Sequence, residues 1–223
     1  MPERYRLGLI GYPVSHSLSP RLHRAALVAC GLVGEYQLYE APPFPEGRIA
    51  VQQLLEKLRG GELHGLNVTI PHKQSVIPLL DKLTPTAREI GAVNTIYMNG
   101  KGLVGENTDA AGFLADLRQR LSRGEGNSGL KRRALVLGAG GSARAVVYAL
   151  LKDNWDVCVA ARRLEQARAL ASDFQQSAGG ANRLSAVELS EFPLGRSLAE
   201  GGVRGICQEL INQLFCNVIP NAT

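Results

Sequence analysis

Aromatic residues make up only 5% of this 223-residue chain, with a single tryptophan. The basic residues are scattered along it, so no stacking platform interleaves with a basic stripe, and nucleic acid is not an expected partner. The four cysteines, Cys30, Cys158, Cys207 and Cys216, have no CxxC spacing and no paired histidines nearby. That argues against a metal site and a disulfide framework, and leaves small buried thiols of a reducing compartment. No apolar run approaches the ~18 residues of a membrane span and no signal peptide is legible, so neither a membrane nor export is expected and the expected location is cytoplasmic.

What is there is ordinary for a globular protein: 45% hydrophobic and 20% charged residues, in a length that suits two modest domains. The net charge of +5, spread rather than clustered, points to an anionic small molecule.

The most informative stretch is G-L-N-V-T-I-P-H-K, Gly65 to Lys73. Leu66, Val68 and Ile70 alternate with polar residues, the period of a half-buried strand. Asn67 and Thr69 fall on the opposite face. Pro71 ends the strand, and Lys73 lies near a helix N-terminus. The helix dipole disfavours a cation there, which suits a lysine that must release a proton. A lone lysine is usually a solvated surface residue, so this reading rests on the residues that accompany it.

Upstream, Arg6 to Ile10 reads as a first strand, broken at Gly11-Tyr12-Pro13. Ser19-Pro20 predicts a helix start, with serine as N-cap and proline at the first turn, running through Leu22, Ala25, Ala26 and Ala29. Ser17 precedes that cap in a loop and has no such structural explanation. A strand over 35–41 and a helix over 48–58 with Val51, Leu54, Leu55 and Leu58 on one face complete two β-then-α units, the pattern of a largely parallel sheet. Downstream, Thr84-Pro85 starts another helix, 92–98 is a strand, and Asn99-Gly100 is a hairpin signal. The return strand 102–106 leads to Asn107-Thr108-Asp109 and a helix over 110–121.

The polar, glycine-rich segment 122–129 is the best linker. The second half opens on a continuously apolar strand, 134–137, of the kind buried in parallel sheets. Gly138, Ala139, Gly140, Gly141, Ser142 and Ala143 then fit the G-x-G-x-x-G/A fingerprint at the head of a helix. Gly138 suits the tight turn, Gly140 lets the backbone approach a pyrophosphate, and Ala143 permits close packing of helix on strand. At the end of the next strand, 156–161, an NAD site places an acidic residue. This chain has Arg162 and Arg163. A guanidinium grips a 2′-phosphate through charge-assisted hydrogen bonds worth roughly 1.5–3 kcal/mol each, about tenfold to a hundredfold in affinity, so NADP is the expected cofactor.

Five motifs now stand in order: S-H-S-L-S-P at 15–20, G-L-N-V-T-I-P-H-K at 65–73, A-V-N-T at 92–95, G-E-N-T-D at 105–109 and G-A-G-G-S-A-R-A at 138–145. Together they resemble those of the NADP-dependent shikimate dehydrogenases. The resemblance implies an α/β chain with an N-terminal substrate-binding catalytic domain, 1–106. A connecting helix and linker, 107–129, and a Rossmann-type NADP-binding domain, 130–223, would follow. It implies that Ser17 and Ser19 bind the substrate carboxylate. Thr69, Asn94 and Asp109 would contact ring hydroxyls, with Asn67 supporting the same site. Lys73 and Asp109 would form the catalytic pair, Gly138, Gly140 and Gly141 would cradle the pyrophosphate, and Arg162 would hold the 2′-phosphate. The implied reaction is reversible NADPH-dependent reduction of 3-dehydroshikimate to shikimate, on the route to chorismate and the aromatic amino acids, by a monomer or homodimer.

The resemblance stops at about residue 190. The family's N-[TA]-T-P-x-G-M segment, its Y-x-P-x-x-T strand and its late glutamine have no recognisable counterpart, and Val218-Ile219-Pro220-Asn221-Ala222-Thr223 matches weakly because Pro220 falls inside the would-be strand. The NADP domain is therefore expected to be incomplete at its C-terminal end. Two alternatives follow: an impaired or inactive fragment that keeps ligand binding, and a quinate/shikimate dehydrogenase.

Overall fold

The computed structural model describes residues 4–100, 102–121, 132–177 and 183–189. The linker 122–129 and everything after 189, including Cys207 and Cys216, lie outside the described residues. The chain divides into two compact units, Met1–Thr108 and Asp109–Thr223.

The first unit is built on a six-stranded sheet. Its elements are β1 (Arg4–Gly11), α1 (Ser19–Ala29), β2 (Val33–Glu40), α2 (Arg48–Arg59), β3 (Gly65–Val68) and α3 (His72–Ser75), then β4 (Lys82–Leu83), α4 (Pro85–Ile90), β5 (Thr95–Asn99) and β6 (Gly102–Glu106). The spatial order is β2-β1-β3-β5-β6-β4. β1 pairs in parallel with β2 and β3, whereas β5 runs antiparallel to both β3 and β6. The sheet is thus mixed, because the Asn99-Gly100 hairpin reverses the chain between β5 and β6; Gly100 takes the positive φ (+63°) that this turn needs.

Alternation along the strands sorts the two faces. Ile10, Leu66, Val68 and Ile96 pack with Val51, Leu54, Leu55 and Leu58 of α2 in one core, each such side chain contributing roughly 1.5–3 kcal/mol on burial. The other face carries Leu9 and Tyr36, packed with Val14, and the polar residue Asn67. Three expectations change here. Ile70 is 70% exposed, since β3 already ends at Val68. Leu22 is exposed and α1 buries Leu27 instead. Cys30, expected as a buried thiol, is exposed at the end of α1.

In the second unit, α5 (Asp109–Leu121), β7 (Arg133–Leu137), α6 (Gly141–Lys152), β8 (Asp156–Ala161), α7 (Leu164–Ser177) and β9 (Leu184–Glu188) follow in order. The three strands pair in parallel as β7-β8-β9, with helices as crossovers, the first half of a dinucleotide-binding fold. Leu117, Val147, Leu151, Trp155, Leu170 and Phe174 share its core. Asp153, at the end of α6, receives Arg118 of α5 (3.1 Å to Nε), Arg132 (3.2 Å) and the indole N–H of Trp155 (3.0 Å).

Candidate active site

The loop between β1 and α1 places the two serines. Ser19 is not the N-cap: Leu18 holds that position in helical conformation and no side chain caps the helix. Ser19 is instead the first helical residue, and its hydroxyl accepts from Ser17 Oγ at 3.0 Å, while its own N–H donates to Ser17 Oγ at 3.2 Å. Both side chains are partly exposed, so neither hydroxyl is consumed by capping and both stand ready for a polar ligand.

Asn67 lies on β3, in register with Leu9 of β1 and Thr95 of β5. Its Oδ1 accepts from the phenol of Tyr36 at 2.8 Å; its Nδ2 donates to Thr95 Oγ1 at 3.2 Å and to the Asn94 carbonyl at 3.4 Å. Burial holds the Tyr36 pKa above its ordinary value, though a neighbouring Ser19 hydroxyl works the other way, so the phenol remains a donor. Asn94 sits just before β5 rather than inside a strand, because β5 begins at Thr95. It is buried, accepts from Thr108 N–H at 3.0 Å and donates to Thr108 Oγ1 at 2.9 Å. Asn107 anchors the same turn by donating to the Ala92 carbonyl at 2.9 Å. Asp109 opens α5, in the second unit.

Thr69 follows β3, with its N–H bonded to the Ile10 carbonyl at 2.9 Å. Its methyl lies so close to Gly11 that a β-carbon added there would collide with it. Lys73 is half-buried on α3. That helix has four residues and the chain then tightens into a 3-10 turn over Ile77–Leu79. So short a run aligns few peptide dipoles, and the expected electrostatic push on Lys73 from a helix N-terminus is small. What holds the residue is packing on either side. Its carbonyl accepts from Val93 N–H at 2.7 Å, and its neighbour His72, wholly buried, bonds through Nε2 to the Ala41 carbonyl at 2.7 Å.

In the second unit, Gly138 has φ +99°, which only glycine adopts readily, and its N–H donates to the Ala160 carbonyl at 2.8 Å. Gly140 is the N-cap of α6 in ordinary extended conformation, with no side-chain cap. A β-carbon there would meet open space. Nothing in the packing of the described residues requires glycine at Gly140, whereas a pyrophosphate seated on the first turn of α6 does. Ala139 and Ala143 pack on the core, and Ser142 is exposed at the head of the helix. Arg162 and Arg163 are exposed directly after β8. With the Gln166 amide turned so that its oxygen faces the Arg163 guanidinium, that oxygen accepts at 2.7 and 3.3 Å, which leaves Arg162 the better placed of the two for a phosphate. These residues fit a phosphorylated dinucleotide.

Residues 9–96 match the family described as the shikimate dehydrogenase substrate binding domain. Over those residues the chain is similar to the shikimate dehydrogenases. It is 39% identical over 188 residues to a shikimate dehydrogenase (NADP(+)) of Carboxydothermus hydrogenoformans, covering 84% of this chain and 62% of that protein. Among solved structures, it resembles the shikimate 5-dehydrogenase of Thermus thermophilus in complex with NADP(H) and shikimate, with a TM-score of 0.66 and 40% identity, over 77% of this chain and 61% of that one. A quinate dehydrogenase from Corynebacterium glutamicum in complex with NAD gives a TM-score of 0.72 at 29% identity, over 89% and 68%. The chain thus spans about six-tenths of the length of the curated family member.

Tyr36 on β2 and His72 on α3 are buried polar residues of this region that sequence reasoning did not single out.

Proposed function

We propose that the chain carries NADP-dependent shikimate dehydrogenase chemistry, the reversible reduction of 3-dehydroshikimate to shikimate in cytoplasmic aromatic biosynthesis. The observation that supports it most is the continuous polar lattice on one face of the first sheet. Ser17 and Ser19 stand at one end, Asn67 in the middle, and Asn94 with Thr108 at the other. A small ring bearing a carboxylate and several hydroxyls matches that sequence of hydroxyl and amide groups.

In this reading the first unit takes the substrate and the second takes the cofactor. Ser17 and Ser19 donate to the carboxylate. Thr69, Asn94 and Asp109 bond the ring hydroxyls. Gly138, Gly140 and Gly141 admit the pyrophosphate, and Arg162 pairs with the 2′-phosphate. The bound cofactor supplies the hydride. Lys73, as an ammonium, gives a proton to the oxygen that the hydride transfer leaves negative, and takes one from solvent afterwards; in the reverse direction it is the general base. Asp109 is the second member of the catalytic pair that the resemblance implies.

The likeness to a quinate dehydrogenase supports a second reading, in which quinate is also oxidised. One experiment separates the readings: an absorbance assay of nicotinamide reduction with shikimate or quinate and with NADP(+) or NAD(+), alongside Lys73→Ala. Shikimate turnover with NADP(+), lost in Lys73→Ala with the substrate still bound, supports the proposal. Turnover of quinate alone favours the second reading. Absence of all turnover, with NADPH still raising the melting temperature, identifies a ligand-binding fragment.

A further inference from the structure

Tyr36 does not belong to β3, yet its side chain reaches that strand. It stands on β2, 1% exposed, opposite Leu7 in the strand register. Asn67 is two strands away, opposite Leu9 on the far side of β1. The phenol therefore reaches across β1 to meet Asn67 Oδ1 at 2.8 Å. The imidazole of His23, on α1, stacks on the phenol ring at 4.3 Å with the planes 4° apart. Leu9 and Val14 pack around it. The ring is held on its face and at its tip.

The hydrogen bonds have a direction. The Asn94 carbonyl can only accept, so the Asn67 amide must present Nδ2 to it and Oδ1 to Tyr36. Tyr36 must then donate. A buried hydroxyl is costly unless bonded, and phenylalanine would fill this site at no such cost. The hydroxyl is there for Asn67.

We infer that Tyr36 is a positioning residue: its buried phenol, held by the His23 stack and reaching across β1, sets the orientation of the Asn67 amide. The inference rests on the substrate reading above only for what that amide is turned toward.

The test is Tyr36→Phe in the full chain, which keeps the ring and its stack on His23. Two measurements are made: the NMR signals of the Asn67 and Asn94 side-chain amides, assigned by their loss in Asn67→Asp and Asn94→Asp, and shikimate affinity by calorimetry. The expected result is displaced Asn67 and Asn94 signals in a cooperatively folded protein, with the shikimate Kd raised about tenfold and, where turnover is measurable, a larger change in KM than in kcat. Unmoved amide signals overturn the inference. Wild-type protein that fails to bind shikimate sinks the substrate reading alone, and the amide signals then decide the role of Tyr36 unaided.

Discussion

The buried imidazole of His72 is tied to the Ala41 carbonyl at 2.7 Å, immediately before Lys73 in the chain. A carbonyl accepts only, so Nε2 carries the proton, and Nδ1 faces Ser75 Oγ at 3.3 Å. The bond fastens α3 to the end of β2, while Val93 N–H fastens the Lys73 carbonyl from the other side. His72→Ala strands a buried carbonyl and opens a cavity, so we expect a loss of about 2–4 kcal/mol in urea unfolding. His72→Phe keeps the volume beside Phe44 and loses less. If alanine proves neutral, the anchoring role is wrong.

Gly11 is required by contact rather than by conformation. A methyl there collides with Thr69 Cγ2 and meets Val14 Cγ1 at 2.8 Å and the Ile70 carbonyl at 2.9 Å. These neighbours are backbone or short branched side chains and have little room to yield. Gly11→Ala should cost about 1–3 kcal/mol by overpacking and push Thr69 from its place, weakening shikimate binding beyond what the stability loss explains. Comparing calorimetric affinity with the urea midpoint checks this; unchanged affinity would place Thr69 outside the site.

Part of this was legible in the sequence and part was not. The α2 face of Val51, Leu54, Leu55 and Leu58 was plain from spacing, because burial against one sheet enforces that spacing. Thr84-Pro85 behaves as a cap should, with Thr84 Oγ1 accepting from Ala87 N–H at 3.2 Å. Ser19-Pro20 carries the same signature and fails, because the helix has already begun at Ser19, with Leu18 as its N-cap. Tyr36 is hidden for another reason: its hydroxyl has meaning only through Asn67, thirty-one positions away. The strand order β2-β1-β3-β5-β6-β4 likewise depends on pairings between distant segments.

The two fingerprint glycines should part company under mutation. Gly140→Ala adds a methyl into open space at an ordinary φ, so stability should change by no more than about 0.5 kcal/mol. NADPH affinity should fall at least about tenfold, since the methyl occupies the pyrophosphate's approach. Gly138→Ala instead forces a side chain into φ +99° and should lower stability itself by about 1–2 kcal/mol. Thermal shift and NADPH titration on both variants test the contrast. Full NADPH affinity in Gly140→Ala would remove the loop from the cofactor site.

Asp153 links acid stability to the second unit. Burial disfavours its charge, but the hydrogen bonds from Arg118 and Trp155, and the charges of Arg118 and Arg132, outweigh that and hold its pKa below the usual carboxylate value. Its folded pKa being the lower one, the stability it adds is complete above the unfolded value of about 3.9 and drains away as pH falls through the folded value. Both arginines are largely exposed, so screening keeps the effect modest. Trp155, the one tryptophan, is buried and bonded to Asp153, which makes its fluorescence a direct reporter. Urea midpoints read by that signal should fall with pH below about 4 more steeply in wild type than in Asp153→Asn. Parallel curves would rule the linkage out.

Arg162 is the residue we propose to choose between the two nicotinamide cofactors. It follows β8 where an NAD site sets a carboxylate, it is exposed, and unlike Arg163 its guanidinium is not engaged by Gln166. Arg162→Ala should therefore raise the NADPH Kd about tenfold to a hundredfold, the worth of one charge-assisted contact. NADH affinity should barely move, because NADH lacks the 2′-phosphate. Arg163→Ala should have the smaller effect on NADPH, since part of that guanidinium's bonding is already internal. Fluorescence titration with both cofactors gives all four constants. An equal loss for NADH and NADPH in Arg162→Ala would mean that the arginine supports the strand end and reads no phosphate, and the preference for NADP would then need another source.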